Sequence, residues 1–140
     1  ALTGRHSLAD DSGLAVRALG GAPGIYSARY GSEDGSRKLE AAERNAYLLS
    51  NMEGKTDRAC AFVCCLVFVL TEERFFAVQE SLEGELLHAP RGSGGFGYDP
   101  VVFLPGLGRS VAELSAEEKN RLSHRGKASA RMAALLSTLD

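Results

Sequence analysis

Three short segments of the chain combine residue types that can do chemistry. The first is Asp10-Asp11-Ser12-Gly13. Adjacent carboxylates can hold a hard cation through oxygen ligands, and a carboxylate can also take a proton from an attacking water. Phosphoryl chemistry uses both, because a metal neutralises developing charge while a base activates the nucleophile. Asp, Ser and Gly are equally the residues of an Asx turn or helix cap. The second segment, Gly92 to Pro100, holds the densest glycine cluster of the chain. Its glycines permit close backbone approach to a ligand, Phe96 among them can stack on a planar base, and Asp99 before a proline can accept from ring N–H groups. A tight hairpin is the alternative, and a Walker A loop is excluded because no Gly-Lys-Ser/Thr follows. The third is Glu118-Lys119-Asn120 with Ser123-His124-Arg125. Cations at a helix start gain nothing from the macrodipole, so Lys119 and Arg125 suit phosphate charge and a rigid donor fork, or else a solvated helix face behind a Ser cap.

Covalent catalysis has little support. Ser12 or Ser123 beside His124 imitates a Ser–His pair, but no G-x-S-x-G elbow is present, and Cys64 sits within an apolar run where a thiol is inert.

The elements that must position these residues follow from periodicity. Ala9 to Val16 reads as a strand end or turn, and Leu19 to Gly24 as a loop. Lys38 to Met52 reads as a helix with Leu39, Ala42, Ala46 and Leu49 on one stripe and Glu43 and Arg44 on other faces. Ala59 to Leu70 is a continuous apolar run and predicts a strand buried on both faces. Arg74 to Leu82 predicts a second strand, continued to Leu87 through a bend, with Glu72-Glu73 as the connection. Val101 to Leu104 is a short strand. Ser115 with Glu118 has the form of a capping box for a helix from about Ala116 to Arg121, and Ser123 caps a terminal helix carrying Ala128, Met132, Leu135, Leu136 and Leu139. Strands and helices together give an α/β class in a single domain, residues 1–140.

Composition narrows the function classes. A 140-residue chain that is 44% hydrophobic can bury a core, and a formal net charge of −2 is not that of a protein coating a nucleic acid polymer. The longest apolar run, Ala59 to Leu70, is shorter than the roughly 20 residues of a membrane-spanning helix. Cys60, Cys64 and Cys65 lie in that run without zinc or disulfide spacing, and read as small core residues. A cytoplasmic protein is expected.

Taken in order, the segments resemble the ITP/XTP pyrophosphatase family, also called Ham1-like. The resemblance rests on Ala9 to Leu14, Gly21 to Tyr30, Gly94 to Pro100, Glu118 to Asn120 and Ser123 to Arg125, and runs from about Leu8 to the C-terminal helix. It implies an elongated mixed β-sheet flanked by helices, two lobes with a central cleft, and a homodimer. It implies Mg²⁺-dependent hydrolysis of non-canonical purine nucleoside triphosphates (ITP, dITP, XTP) to the monophosphate and pyrophosphate. It also implies roles: Asp11 as proton acceptor and Mg²⁺ ligand, Asp10 as its partner at the metal, Ser12 as a substrate contact, and Phe96, Gly97, Tyr98 and Asp99 as the base-binding segment. Lys119 resembles a substrate-binding cation, and His124 and Arg125 resemble contacts to the purine.

The chemistry accounts for part of the selectivity. Hypoxanthine and xanthine carry an acceptor oxygen at C6 where adenine carries a donor, and a guanidinium such as Arg125 only donates. Guanine shares the keto group, so its rejection must come from another element set against its 2-amino group. The family pattern also begins with a strand, a Thr/Ser-Gly-Asn phosphate-binding segment followed by Lys, and an upstream acidic metal ligand. None has a counterpart before Asp10, which predicts a domain shortened at the N-terminus relative to the family, with weak or no turnover. Alternative readings are a purine-nucleotide-binding module without catalysis and a Maf-like nucleotide pyrophosphatase, against which Ser123-His124-Arg125 argues.

Overall fold

The computed structural model describes residues 5–139. Five strands form one sheet in the order β1-β2-β3-β4-β5: β1 Ser7–Val16, β2 Ala59–Val69, β3 Phe75–Leu86, β4 Val102–Leu104 and β5 Arg109–Ser110. Every pairing among them is antiparallel, so the mixed pairing expected is not made by these strands. The turn at Thr71–Arg74, where Leu70 N–H donates to Arg74 O at 2.9 Å, returns β3 beside β2, while β1 and β2 are joined by the longer segment that carries α1. The α/β class holds, with α1 Ala41–Ser50, α2 Ala116–Leu122 and α3 His124–Leu136 beside the sheet. Among the described residues, no helix is long and apolar enough to cross a membrane.

The segment read as a strand end or turn, Ala9 to Val16, is instead most of β1. Asp10 and Asp11 sit opposite Leu66 and Cys65 of β2 in extended backbone. Only the far end of β1 is buried, at Leu14 and Val16, and the pattern there is the period-two pattern of a half-covered strand.

β2 also alternates. Cys60, Phe62, Cys64 and Leu66 are buried, and the residues between them are only partly covered. The unbroken apolar run concealed this, because Val63, Cys65 and Val67 are as apolar as their buried neighbours. Burial pushes the Cys60 thiol up to about 12 and raises that of Cys64, so both stay protonated as small core residues. Cys65 faces the other, partly open side.

Helix α1 starts at Ala41, where the Glu43 carboxylate accepts the Glu40 N–H at 3.0 Å. Its buried face is not the expected one: Ala42 and Ala46 are exposed, and Arg44, Asn45 and Leu48 are buried. Alanines fit either face of a helix, and the polar pair turns inward to meet the site. Both Ser caps form as expected. Ser115 Oγ accepts from Glu118 N–H at 3.1 Å, and Ser123 Oγ accepts from Gly126 N–H at 3.0 Å.

Two apolar clusters lie along the sheet. The larger joins Leu14, Val16, Leu48, Phe62, Tyr98 and Val102, among others, and the smaller joins Cys64, Leu66 and Val78 to Ala128 and Met132 of α3. The first residue of α3 is brought from the smaller cluster onto the larger, where the His124 ring stacks on Phe62.

Candidate active site

A pocket of about 270 Å³ opens between the buried end of β1, the start of α1, the Phe96–Asp99 loop and the N-terminus of α3. Gly13 lets β1 approach the loop after it, since a Cβ there would lie against Gly24 O and Ser27 Oγ. Ser27 then locks the junction, accepting Leu14 N–H at 2.8 Å and donating to Gly24 O at 2.6 Å.

The glycine-rich segment is not a hairpin. It is a loop closed by a 3-10 turn at Asp99–Val101, organised around the Asp99 carboxylate. Asp99 is 3% exposed. Its Oδ2 accepts Phe96 N–H at 2.7 Å and forms an ion pair with Lys119 Nζ. Gly95 has φ +74°, and a Cβ on it would overlap that carboxylate, so the loop can close only over glycine. The closure presents the Phe96 ring outward, 65% exposed, with Lys119 Nζ 4.2 Å from its centre and the Arg125 guanidinium 6.0 Å away. An open aromatic face between two cations suits a planar, electron-rich ring carrying an anionic tail.

Tyr98 belongs mainly to the core. Its ring is buried, its hydroxyl donates to Ser27 O at 2.8 Å, and burial pushes the phenol up to about 12. Gly97 contributes its carbonyl, which accepts from Asn45 Nδ2 at 3.1 Å. His124 stacks on Phe62 with ring centres 4.9 Å apart and 10° between planes. Burial first, and the Arg125 charge second, lower its pKa to about 4, so near neutrality it is an uncharged imidazole.

The two adjacent carboxylates are separated by the strand that carries them. Successive side chains of a strand point to opposite faces. Asp10 shares the face of Ser12 and pairs with Arg125, Oδ2 to Nε at 2.7 Å, while Ser12 Oγ donates to its Oδ1 at 3.2 Å. Asp11 points to the other face and lines a separate depression with Cys65 and Gln79. A metal site shared by Asp10 and Asp11 is therefore not assembled by this geometry. Among the described residues no group of three or more His, Cys, Asp or Glu side chains converges to hold a metal ion. The donor set fits Mg²⁺ only as one carboxylate completed by phosphate oxygens of a bound nucleotide, a common arrangement for that ion.

Two residues that the sequence reading passed over belong to the site. Arg44 and Asn45 of α1 are 8% and 3% exposed. Arg44 Nε, Asn45 Oδ1 and His124 Nδ1 are buried without hydrogen-bond partners among the described residues. Orphaned buried polar atoms are uncommon, and two of these, on Arg44 and His124, belong to residues lining the pocket, which marks it as a place where a ligand supplies the partners. The signal in the sequence was the stripe Ala41, Arg44, Asn45, Leu48 and Met52, whose helical spacing puts two polar residues on an otherwise apolar face.

The model of the Ham1 family matches residues 1–135. The dITP/XTP pyrophosphatase of Treponema denticola is 54% identical over 121 residues, covering 86% of this chain and 62% of that protein. The dITP/XTP pyrophosphatase of Thermus thermophilus is 51% identical over 129 residues, covering 90% and 59%. Among solved structures, the Staphylococcus aureus Ham1 protein superposes with a TM-score of 0.91 at 36% identity, covering 99% of this chain and 70% of that one. A HAM1 protein from Coxiella burnetii gives 0.90 at 38% identity, covering 96% and 68%. The chain spans about three fifths of the length of the first two of these relatives. With the family model matched almost end to end and the fold shared with solved members, the chain belongs to the Ham1 family.

Proposed function

We propose that this chain carries the purine-binding part of a nucleoside-triphosphate pyrophosphatase that hydrolyses ITP, dITP and XTP to the monophosphate and pyrophosphate. The observation that carries the proposal is the Phe96 ring, held open by the Asp99 carboxylate and flanked by Lys119 and Arg125 above a pocket whose buried polar atoms lack partners. The names of its relatives, dITP/XTP pyrophosphatase, point the same way.

In this reading the purine stacks on Phe96, Arg125 donates to the C6 oxygen, and Lys119 and Ser12 meet the ribose-phosphate portion. The triphosphate extends from this stacked base toward Asp11 on the other face of β1. Asp11 accepts a proton from the water that attacks the α-phosphorus; the new P–O bond forms as the bond to the bridging oxygen breaks, and pyrophosphate leaves. Asp11, together with phosphate oxygens of the nucleotide, would hold Mg²⁺, which would supply neutralisation of the charge on the leaving group. Asp10 acts by anchoring Arg125. Asp11→Asn is expected to abolish turnover with nucleotide binding kept, and Asp10→Asn to weaken binding first. Full turnover in Asp11→Asn would refute its role.

A binding module without turnover is a second reading, favoured by the separation of Asp10 and Asp11 on opposite faces of β1. The protein is further proposed to be a cytoplasmic homodimer. The neighbouring exposed side chains Ile25 and Tyr26 support a protein contact, which light scattering would test.

A further inference from the structure

We infer that Arg44 is the residue that excludes guanine from the pocket and favours xanthine, an inference that rests on the purine-nucleotide reading above. Arg44 lines the same pocket as Phe96, Asp99 and Arg125. It is 8% exposed. Its guanidinium donates to the carbonyl of Leu39 and, at 3.5 Å, to that of Ala28, and lies 5.9 Å from the centre of the Tyr98 ring. Among the described residues no carboxylate pairs with it, whereas Arg125 of the same pocket pairs with Asp10, and Lys119 beside Phe96 pairs with Asp99. Its Nε has no acceptor among the described residues. A buried cation without a counter-charge and with an unused donor is costly, and an acceptor brought by the ligand relieves that cost.

The neighbouring groups define which ligand edge this is. Arg125 donates, Asp99 accepts through the oxygen that Phe96 and Lys119 leave unused, and Arg44 donates. A donor–acceptor–donor set is complementary to the edge of xanthine, which offers the C6 oxygen, N1–H and the C2 oxygen. Hypoxanthine matches the first two and presents only C–H at C2. Guanine matches the first two and then sets its 2-amino group, a donor, against a guanidinium that can only donate. Burying two donors face to face leaves both unpaired, the kind of mismatch that gives large discrimination. Arg44 is thus the unpaired-donor element that selectivity against guanine requires and that Arg125 cannot provide. Asn45, next to it on α1, holds the Gly97 carbonyl at 3.1 Å, so the donor and the stacking loop are carried by one helical turn.

The test is calorimetric titration of the 140-residue chain with XMP, IMP, GMP and AMP, since monophosphates bind without turnover. In the wild-type chain XMP is expected to bind about tenfold more tightly than IMP, and GMP at least tenfold more weakly. In Arg44→Gln a carbonyl oxygen can accept from the 2-amino group. GMP is then expected to gain at least tenfold relative to IMP while XMP loses about tenfold, a reversal that mere destabilisation does not produce. An unchanged order in a folded Arg44→Gln overturns the inference, and so does wild-type binding of GMP as tight as IMP, which decides the matter if the variant fails to fold. IMP binding that Phe96→Ala weakens, with GMP equal to IMP, overturns only the role of Arg44. Absence of base-dependent binding by all four nucleotides overturns the purine-nucleotide reading together with it.

Discussion

Replacing Asp99 by Asn removes one charge at the centre of the site, and its cost can be worked out contact by contact. Asp99 Oδ2 accepts Phe96 N–H at 2.7 Å and faces Lys119 Nζ. The Asn amide can keep its oxygen on Phe96 N–H, exchanging a charge-assisted bond for a neutral one at a loss of about 1 kcal/mol. Its NH₂ group then meets Lys119, donor against donor. Breaking a fully buried pair costs about 3–5 kcal/mol, and because Lys119 is 19% exposed rather than sealed, the loss is discounted to about 2 kcal/mol. The sum, about 3 kcal/mol, corresponds to a fall in Tm of roughly 10 °C for a chain of this size. Because the stranded ammonium causes most of it, Lys119→Met in the Asp99→Asn background should restore about 2 kcal/mol. Urea denaturation of the wild type, both single variants and the double variant measures that coupling. A coupling below about 0.5 kcal/mol would show that the pair does not hold the loop, and the reasoning that makes Asp99 its organiser would fail.

Three further outcomes follow from the same geometry. Phe96→Ala should change stability by less than about 0.5 kcal/mol, because the ring is largely exposed, yet weaken nucleotide binding by about 1–3 kcal/mol through lost stacking; denaturation and titration read the two separately. Gly95→Ala forces a side chain into φ +74° and onto the Asp99 carboxylate, and should cost about 1–3 kcal/mol and weaken IMP binding, by the same pair of measurements. His124 has a folded pKa of about 4 against an ordinary 6.5, so between those values the unfolded chain binds the extra proton; stability should rise as pH climbs from 4 to 6.5, by about 3 kcal/mol, and be lost on acidification through that window. His124→Gln should flatten this part of the Tm–pH curve, and an unchanged slope would contradict it. Glu118, lowered to about 2 chiefly by its bond to Arg109, acts in the same direction but at pH values below its ordinary 4.5, so the two contributions separate.

What was legible in the sequence was what local chemistry decides. Ser115 with Glu118 and Ser123 ahead of His124 form the caps their spacing announces, because a helix N-terminus needs an acceptor within three residues. The hairpin between β2 and β3 falls at Glu72-Glu73, where two apolar runs meet a polar break. The ordered segments around Asp10, Phe96, Lys119 and Arg125 were enough to suggest a family and a base-binding loop. What was hidden depended on contacts distant in sequence. Asp10 and Asp11 look like partners when written side by side, but extended backbone turns them to opposite faces of β1. The alternation of β2 was invisible because both its faces are apolar. Arg44 was placed off the apolar stripe because charge usually marks the outside of a helix; here the pocket makes the inward face, with Arg44 and Asn45, polar.

The most direct measurement is pyrophosphate release in the presence of Mg²⁺ from ITP, dITP and XTP against ATP and GTP. The account predicts release from the three keto substrates and little from ATP or GTP, with Asp11→Asn silent. Equal release from ATP and ITP, or undiminished release by Asp11→Asn, would contradict it.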